Sequence, residues 1–152
     1  MKKVCDHRIV ALGGLLLALV FTSSVSAQAQ ISIVVAKSSH QTAGAADLRQ
    51  MFSGAKLTWS GGERVAIADQ PEAALGRAFY EKFIGKSLSQ VRTEWMKLVL
   101  SGQSAAPKKC SDDDAVKAFV RGNPNAVGFI ATSAVDESVK ELYRVSATAK
   151  AE

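Results

Sequence analysis

The chain has 152 residues, of which 47% are apolar, 22% charged and 7% aromatic, with 11 Gly and 3 Pro. That balance excludes a disordered chain, a collagen-like fibre and a disulfide-bound miniprotein, and the length suits one ordinary domain. The formal charge is +5, but Lys2, Lys3, Arg8 and Asp6 lie in a compositionally distinct N-terminal segment, beyond which 16 basic residues face 13 acidic ones. There the basic residues are scattered, with Lys108 and Lys109 the only adjacent pair, so the clustered stripe that a nucleic-acid partner requires is missing.

Residues 1–27 carry the three-part pattern of a cleaved secretory signal: basic Lys2, Lys3 and Arg8, an uncharged run over 9–21, then the small-residue site Val25, Ser26, Ala27. The run, about 13 residues, is shorter than the roughly 20 that a membrane-spanning helix needs. Export to the periplasm is the expectation, with one domain over 28–145 and a frayed tail over 146–152. Cys110 is the only cysteine of that mature chain, which therefore forms no intramolecular disulfide and must fold by its core.

The first mature element is an apolar run over 31–36, broken only by Ser32, which reads as a strand covered on both faces. A donor-rich loop follows, containing Ser38, Ser39, His40, Gln41 and Thr42; its hydroxyls suit an anion, although Thr42 equally suits a helix cap. Ala45, Leu48, Met51 and Phe52 then give a helical stripe ending at Gly54, and 65–68 is a second apolar strand. Leu75, Ala78, Phe79 and Phe83 mark a second helix ending at Gly85. The third carries Leu88, Val91, Trp95, Leu98 and Val99, begins with capping-box spacing at Ser87 and Gln90, and ends at Gly102. Ser111 precedes Asp112, Asp113 and Asp114 at the start of a fourth helix, where the helix dipole favours carboxylates without any metal; Val116, Phe119 and Val120 form its stripe and Gly122 its stop. Strands over 126–131 and 139–145 complete an α/β sandwich.

His40 is the only histidine of the mature chain, so paired-histidine zinc spacings do not occur, and one cysteine builds no thiolate site. The sequence has no phosphate-binding loop ending in Lys-Ser or Lys-Thr, no dinucleotide glycine pattern and no Gly-x-Ser-x-Gly elbow. Binding without catalysis, metal or cofactor is the expectation. Cys110 has two readings: a thiol activated by Lys108 and Lys109, with His40 available as a base, or an incidental loop cysteine.

Several blocks recur together: Leu48, Met51, Phe52, Ser53 and Gly54 with Trp59; Arg77, Phe79, Phe83 and Gly85; Trp95, Gly102 and Pro107; and the run Asn123, Pro124, Asn125, Ala126, Val127, Gly128, Phe129, Ile130. Over 31–145 the chain resembles the small, single-lobe relatives of the phosphate-binding proteins of ABC transporters, in the periplasmic solute-binding (type II) superfamily. The resemblance implies an α/β, single-lobe, periplasmic-binding-protein-like three-layer sandwich with a mixed, mostly parallel sheet. It also implies an exported solute-binding domain that takes phosphate or another small polar anion without catalysis. In that family an Arg, an Asp and a Ser-Gly-Thr turn hold the anion after the second core strand. The resemblance places Asp69 on the acidic position, with Gln70 beside it, and Arg77 on the basic one; the Ser-Gly-Thr turn is missing and Glu72 stands near the helix start. The expected ligand residues are therefore Ser38, Ser39, Thr42, Asp69, Gln70 and Arg77. Arg77 lies about 200° around its helix from Leu75 and Phe79, on the face opposite the core, where an ion pair with Glu81 is the competing use. A single lobe offers half a cleft, so a homodimer, or an envelope transporter or sensor complex, is the expected partner, and a module that keeps the scaffold for protein contact alone is the alternative function.

Overall fold

In the computed structural model, which describes residues 30–145, the apolar run Ile31–Ala36 forms strand β1 with every residue buried. The predicted signal segment and the frayed tail lie outside the described residues. The other strands are β2, Ala66–Asp69; β3, Lys108–Lys109; β4, Ala126–Ala131; and β5, Val139–Val145, in the sheet order β3-β2-β4-β1-β5. β2 is parallel to β3 and to β4, whereas β1 is antiparallel to both β4 and β5. Four strands therefore point one way and β1 runs against them: the sheet is mixed and mostly parallel, as the resemblance implies.

Helices α1 (Ala45–Ser53), α2 (Ala74–Phe79) and α3 (Leu88–Leu100) cover one face, and α4 (Asp113–Gly122) covers the other. Alternation along the strands divides the core accordingly. Ile33, Val35, Ile67, Val127 and Phe129 meet Phe52, Phe79 and Trp95 on the first face, while Val34, Ala36, Ala68 and Ile130 meet Val116 and Val120 on the second. A Cβ at Gly128 would come 2.5 Å from Val116 Cγ1 and 3.1 Å from Ala68 Cβ, so the missing side chain sets how closely α4 packs. No helix among the described residues is long and apolar enough to cross a membrane.

Local signals explain most helix ends. Gly54 and Gly85 adopt left-handed conformations, φ 83° and 75°, and the Ser87–Gln90 capping box forms in both directions. Three expectations change. Thr42 does not cap α1, whose N-cap is Gly44 without any side-chain bond. Gly122 does not stop α4, which Asp112 caps by accepting the Ala115 N–H at 2.8 Å and which runs through Gly122 to end at Asn123 in extended backbone. Finally, α2 widens into a π-turn over Tyr80–Ile84, which rotates Tyr80 into the core.

Candidate functional site

Asp69 closes β2 and is 8% exposed. Beyond it the chain turns through Pro71 and re-enters as α2, which lies so close to the turn that only glycine fits at position 76, against the Gln70 carbonyl. This return brings the Tyr80 hydroxyl to donate to Asp69 Oδ1 at 2.9 Å. Gln70 is equally committed: its Nε2 donates to Asp113 Oδ1 at 2.7 Å and to the Phe129 carbonyl at 3.1 Å, tying the ends of β2 and β4 to the first turn of α4.

A cleft of about 420 Å³ opens over Asp69 and Tyr80. Leu88, Val91, Trp95, Met96, Val99 and Leu100 of α3 wall one side and Ala106 and Pro107 the other, with Arg92 and Lys109 as its cations. Lys109 is the cross-strand partner of Asp69 and makes no ion pair among the described residues; Arg92 Nη2 binds Glu72 Oε1 at 2.8 Å, offsetting the acidic charge of Glu72. The cleft lies at the carboxyl ends of β2 and β3, the edge at which open α/β sheets take ligands.

Burial holds the Asp69 carboxyl above its ordinary pKa, opposed by the Tyr80 hydrogen bond and by the charge of Arg92. Burial, and then the charge of Asp69, push the Tyr80 phenol far up, so Tyr80 remains a donor. A raised folded-state pKa means that the folded chain binds this proton more tightly than the unfolded chain does. The resulting stabilisation is fully present in acid and is lost as pH rises through the folded value. Asp69→Asn, which keeps an acceptor for Tyr80, is therefore expected to be more stable than the parent near pH 7, with the gap closing as pH falls below the ordinary carboxylate range. Urea midpoints across pH measure this, and a gap independent of pH would show that Asp69 is not penalised as an anion.

The six predicted ligand residues do not converge. Because β1 runs against β4, the loop after β1 lies beside the start of β4: Ser39 Oγ donates to the Pro124 carbonyl at 3.0 Å and accepts the Gln41 N–H at 3.2 Å, and Gln41 Nε2 donates to Asn125 Oδ1 at 3.3 Å. Asp69 lies one residue beyond the Ala68–Gly128 pair, level with Phe129. Five residues of strand, about 16 Å, thus separate the Ser39 loop from Asp69 and Gln70. Ser38 and Thr42 are exposed on the far edge, and buried Ser39 staples its own loop. Arg77 is exposed on α2 and makes no ion pair with Glu81 or any other described residue.

The same reversal separates the proposed thiol pair. His40 belongs to the Ser39 loop, whereas the Cys110 N–H donates to the Asp69 carbonyl at 2.8 Å on the opposite edge. Burial raises the Cys110 thiol pKa, with Lys108 opposing only in part, so the adjacent lysines do not make it a ready thiolate. Tyr80, Arg92 and Lys109 are site residues that the sequence reading passed over. The signals were present: Tyr80 adds a polar tip to an aromatic run, and Lys109 belongs to the one adjacent basic pair beyond the N-terminal segment.

Neither protein-family profiles nor curated proteins give a match to the sequence. Solved structures do match the fold. The chain is similar to a candidate phosphate ABC transporter substrate-binding protein from Clostridium perfringens, solved with bound phosphate (TM-score 0.57, 19% identity). It is also similar to an ABC-type phosphate transport receptor from Vibrio cholerae (0.56, 22%) and to PstS from Borrelia burgdorferi (0.56, 10%). Each comparison covers 75% of this chain and 45%, 46% and 47% of the respective structures, so the chain spans less than half the length of these proteins. At these identities the likeness assigns the fold alone, one shared with part of each of these proteins.

Proposed function

We propose that this chain is an exported solute-binding module that takes phosphate or another small polar anion, without catalysis, at the carboxyl ends of β2 and β3. One observation carries the reading: the chain shares its fold over 75% of its length with phosphate-transport receptors, one of them solved holding phosphate. The edge described above supplies the means. Lys109 and Arg92 provide positive charge, Asp69 is a carboxyl whose burial favours the protonated, donor form, and Gln70 fixes the strand ends around it. A basic N-terminus, an apolar run and a small-residue site support export.

Calorimetric titration of the full chain with phosphate and then sulfate at low ionic strength tests this. One-site saturable binding is expected, weakened about tenfold in Arg92→Ala through loss of a charge-assisted contact. No heat with either anion, at an unchanged thermal midpoint, would sink it.

A second reading rests on α3, which leaves Met96, Val99 and Leu100 61%, 39% and 82% exposed along one stripe. An apolar face of that kind suits contact with another protein of the envelope, in which case the scaffold serves assembly and not solute capture.

A further inference from the structure

A second cleft, about 530 Å³, lies on the outer edge of the sheet. It exists because β3 is only two residues long: Lys108 and Lys109 pair with Ala68 and Asp69, so the edge of β2 at Ala66 and Ile67 is left facing a gap bounded by Ala105, Ala106 and Pro107. Arg64, Lys108 and Lys109 line this gap, and no Asp or Glu does. None of the three makes an ion pair among the described residues; Arg64 has only an Nη1–H···O bond to the Gln103 carbonyl, at 2.8 Å. The apolar part of the lining includes Trp95 and Phe119.

Lysines on a short edge strand guard against strand-to-strand aggregation, and that would account for Lys108 and Lys109 alone. It does not account for Arg64, which lies outside the strand, or for an open volume within the range of small-molecule sites, about 300–1,000 Å³. Three like charges around one cleft repel each other, and an anion relieves that repulsion while Arg and Lys donors bind its oxygens. The space and the two aromatic rings exceed what a bare inorganic anion uses.

We infer that this cleft binds a small organic anion with an apolar, ring-bearing body, its acidic group held by Arg64, Lys108 and Lys109 and its ring lying against Trp95 and Phe119. The site adjoins the one at Asp69, with which it shares Trp95, Ala106, Pro107 and Lys109; Arg64, Lys108 and Phe119 line this cleft alone.

Titrating the full chain with phenyl phosphate, inorganic phosphate and benzyl alcohol separates the two contributions. Phenyl phosphate is expected to bind this cleft one-to-one, at least about tenfold tighter than inorganic phosphate competes for it, because its ring leaves water. Lys108→Ala should weaken it about tenfold, the double variant Arg64→Ala/Lys108→Ala further, and added salt should weaken it progressively, while Arg92→Ala should leave it unchanged. Both substituted side chains are exposed, and unchanged thermal midpoints confirm folding. Absence of heat with phenyl phosphate, its displacement by inorganic phosphate at equal affinity, or full binding in the double variant would each overturn the inference. Phenyl phosphate binding that is lost in Arg92→Ala but kept in Lys108→Ala would move the ligand to the Asp69 cleft, overturning this site while supporting the other. Failure of phosphate at Asp69 leaves the phenyl phosphate result standing on its own.

Discussion

Gly76→Ala is expected to destabilise the chain by about 3 kcal/mol, although alanine is the better helix former by roughly 1 kcal/mol. The sign follows from what a methyl group would meet: it would overlap the Gln70 carbonyl oxygen and come 3.0 Å from the Gln70 carbonyl carbon and 3.4 Å from Pro71 Cα. All three are backbone atoms, which no rotamer change can move, so α2 must lift off the turn. That would pull Tyr80 from Asp69 and loosen the Gln70 bonds to Asp113 and Phe129. Gly122→Ala in α4 is the matched control, because nothing lies within 4 Å of its added Cβ. It should be neutral or stabilise by up to about 1 kcal/mol, the propensity term alone. Urea denaturation measures both; stabilisation by Gly76→Ala would mean that the turn after β2 yields, and that the geometry around Asp69 is not fixed by this contact.

Much of this architecture is written in short-range signals. The bounds of β1 and β4 follow from unbroken or nearly unbroken apolar runs, and the Ser87–Gln90 box and the left-handed Gly54 and Gly85 mark helix ends because those conformations depend only on their own few residues. Strand direction is different. An apolar strand has the same pattern read either way, so nothing within Ile31–Ala36 shows that it runs against β4; that choice is made by pairing with residues 100 positions away, as the Ser32–Thr132 hydroxyl pair shows. The separation of the expected ligand residues comes from this one bit of information, because the direction of β1 sets Ser38, Ser39 and Thr42 at the edge of the sheet opposite Asp69.

β3 was illegible for another reason. Lys108 and Lys109 have no apolar alternation, and they are a strand only because Ala68 and Asp69 offer an open edge beside them. Without that strand in view, Lys109 cannot be placed next to Asp69, nor Lys108 beside Arg64. The π-turn at Tyr80 is likewise a product of packing: a regular continuation of α2 preserves the stripe from Leu75 to Phe83, and only the tertiary partner Asp69 distinguishes Tyr80 from a surface tyrosine.

The largest packing loss is expected at Phe129. It sits on the strand between β1 and β2, its ring stacked on Phe79 with centroids 4.1 Å apart and planes at 11°, and edge-on to Phe52 and Tyr80 at 5.8 and 6.2 Å. All four rings are at most 1% exposed, so no solvent-filled alternative lies close by. Phe129→Ala should cost about 4 kcal/mol, the lost transfer energy plus a cavity that strand neighbours cannot collapse. That is a large share of the 5–15 kcal/mol that holds a typical domain together, so the variant should unfold at a much lower urea concentration, with an unchanged slope if the transition stays two-state. Phe129→Leu, which refills part of the volume, should recover more than half of the loss. The comparison also bears on the site. The cavity would open beneath Tyr80, and the Phe129 carbonyl that receives Gln70 Nε2 belongs to the same residue. Phe129→Leu should therefore remain folded yet bind anions at the Asp69 edge less well than the parent, because the groups that set the ends of β2 and β4 would sit on a softened floor. If affinity is unchanged while stability falls, the edge is held by the α4 contact through Asp113, and the aromatic cluster serves the fold alone.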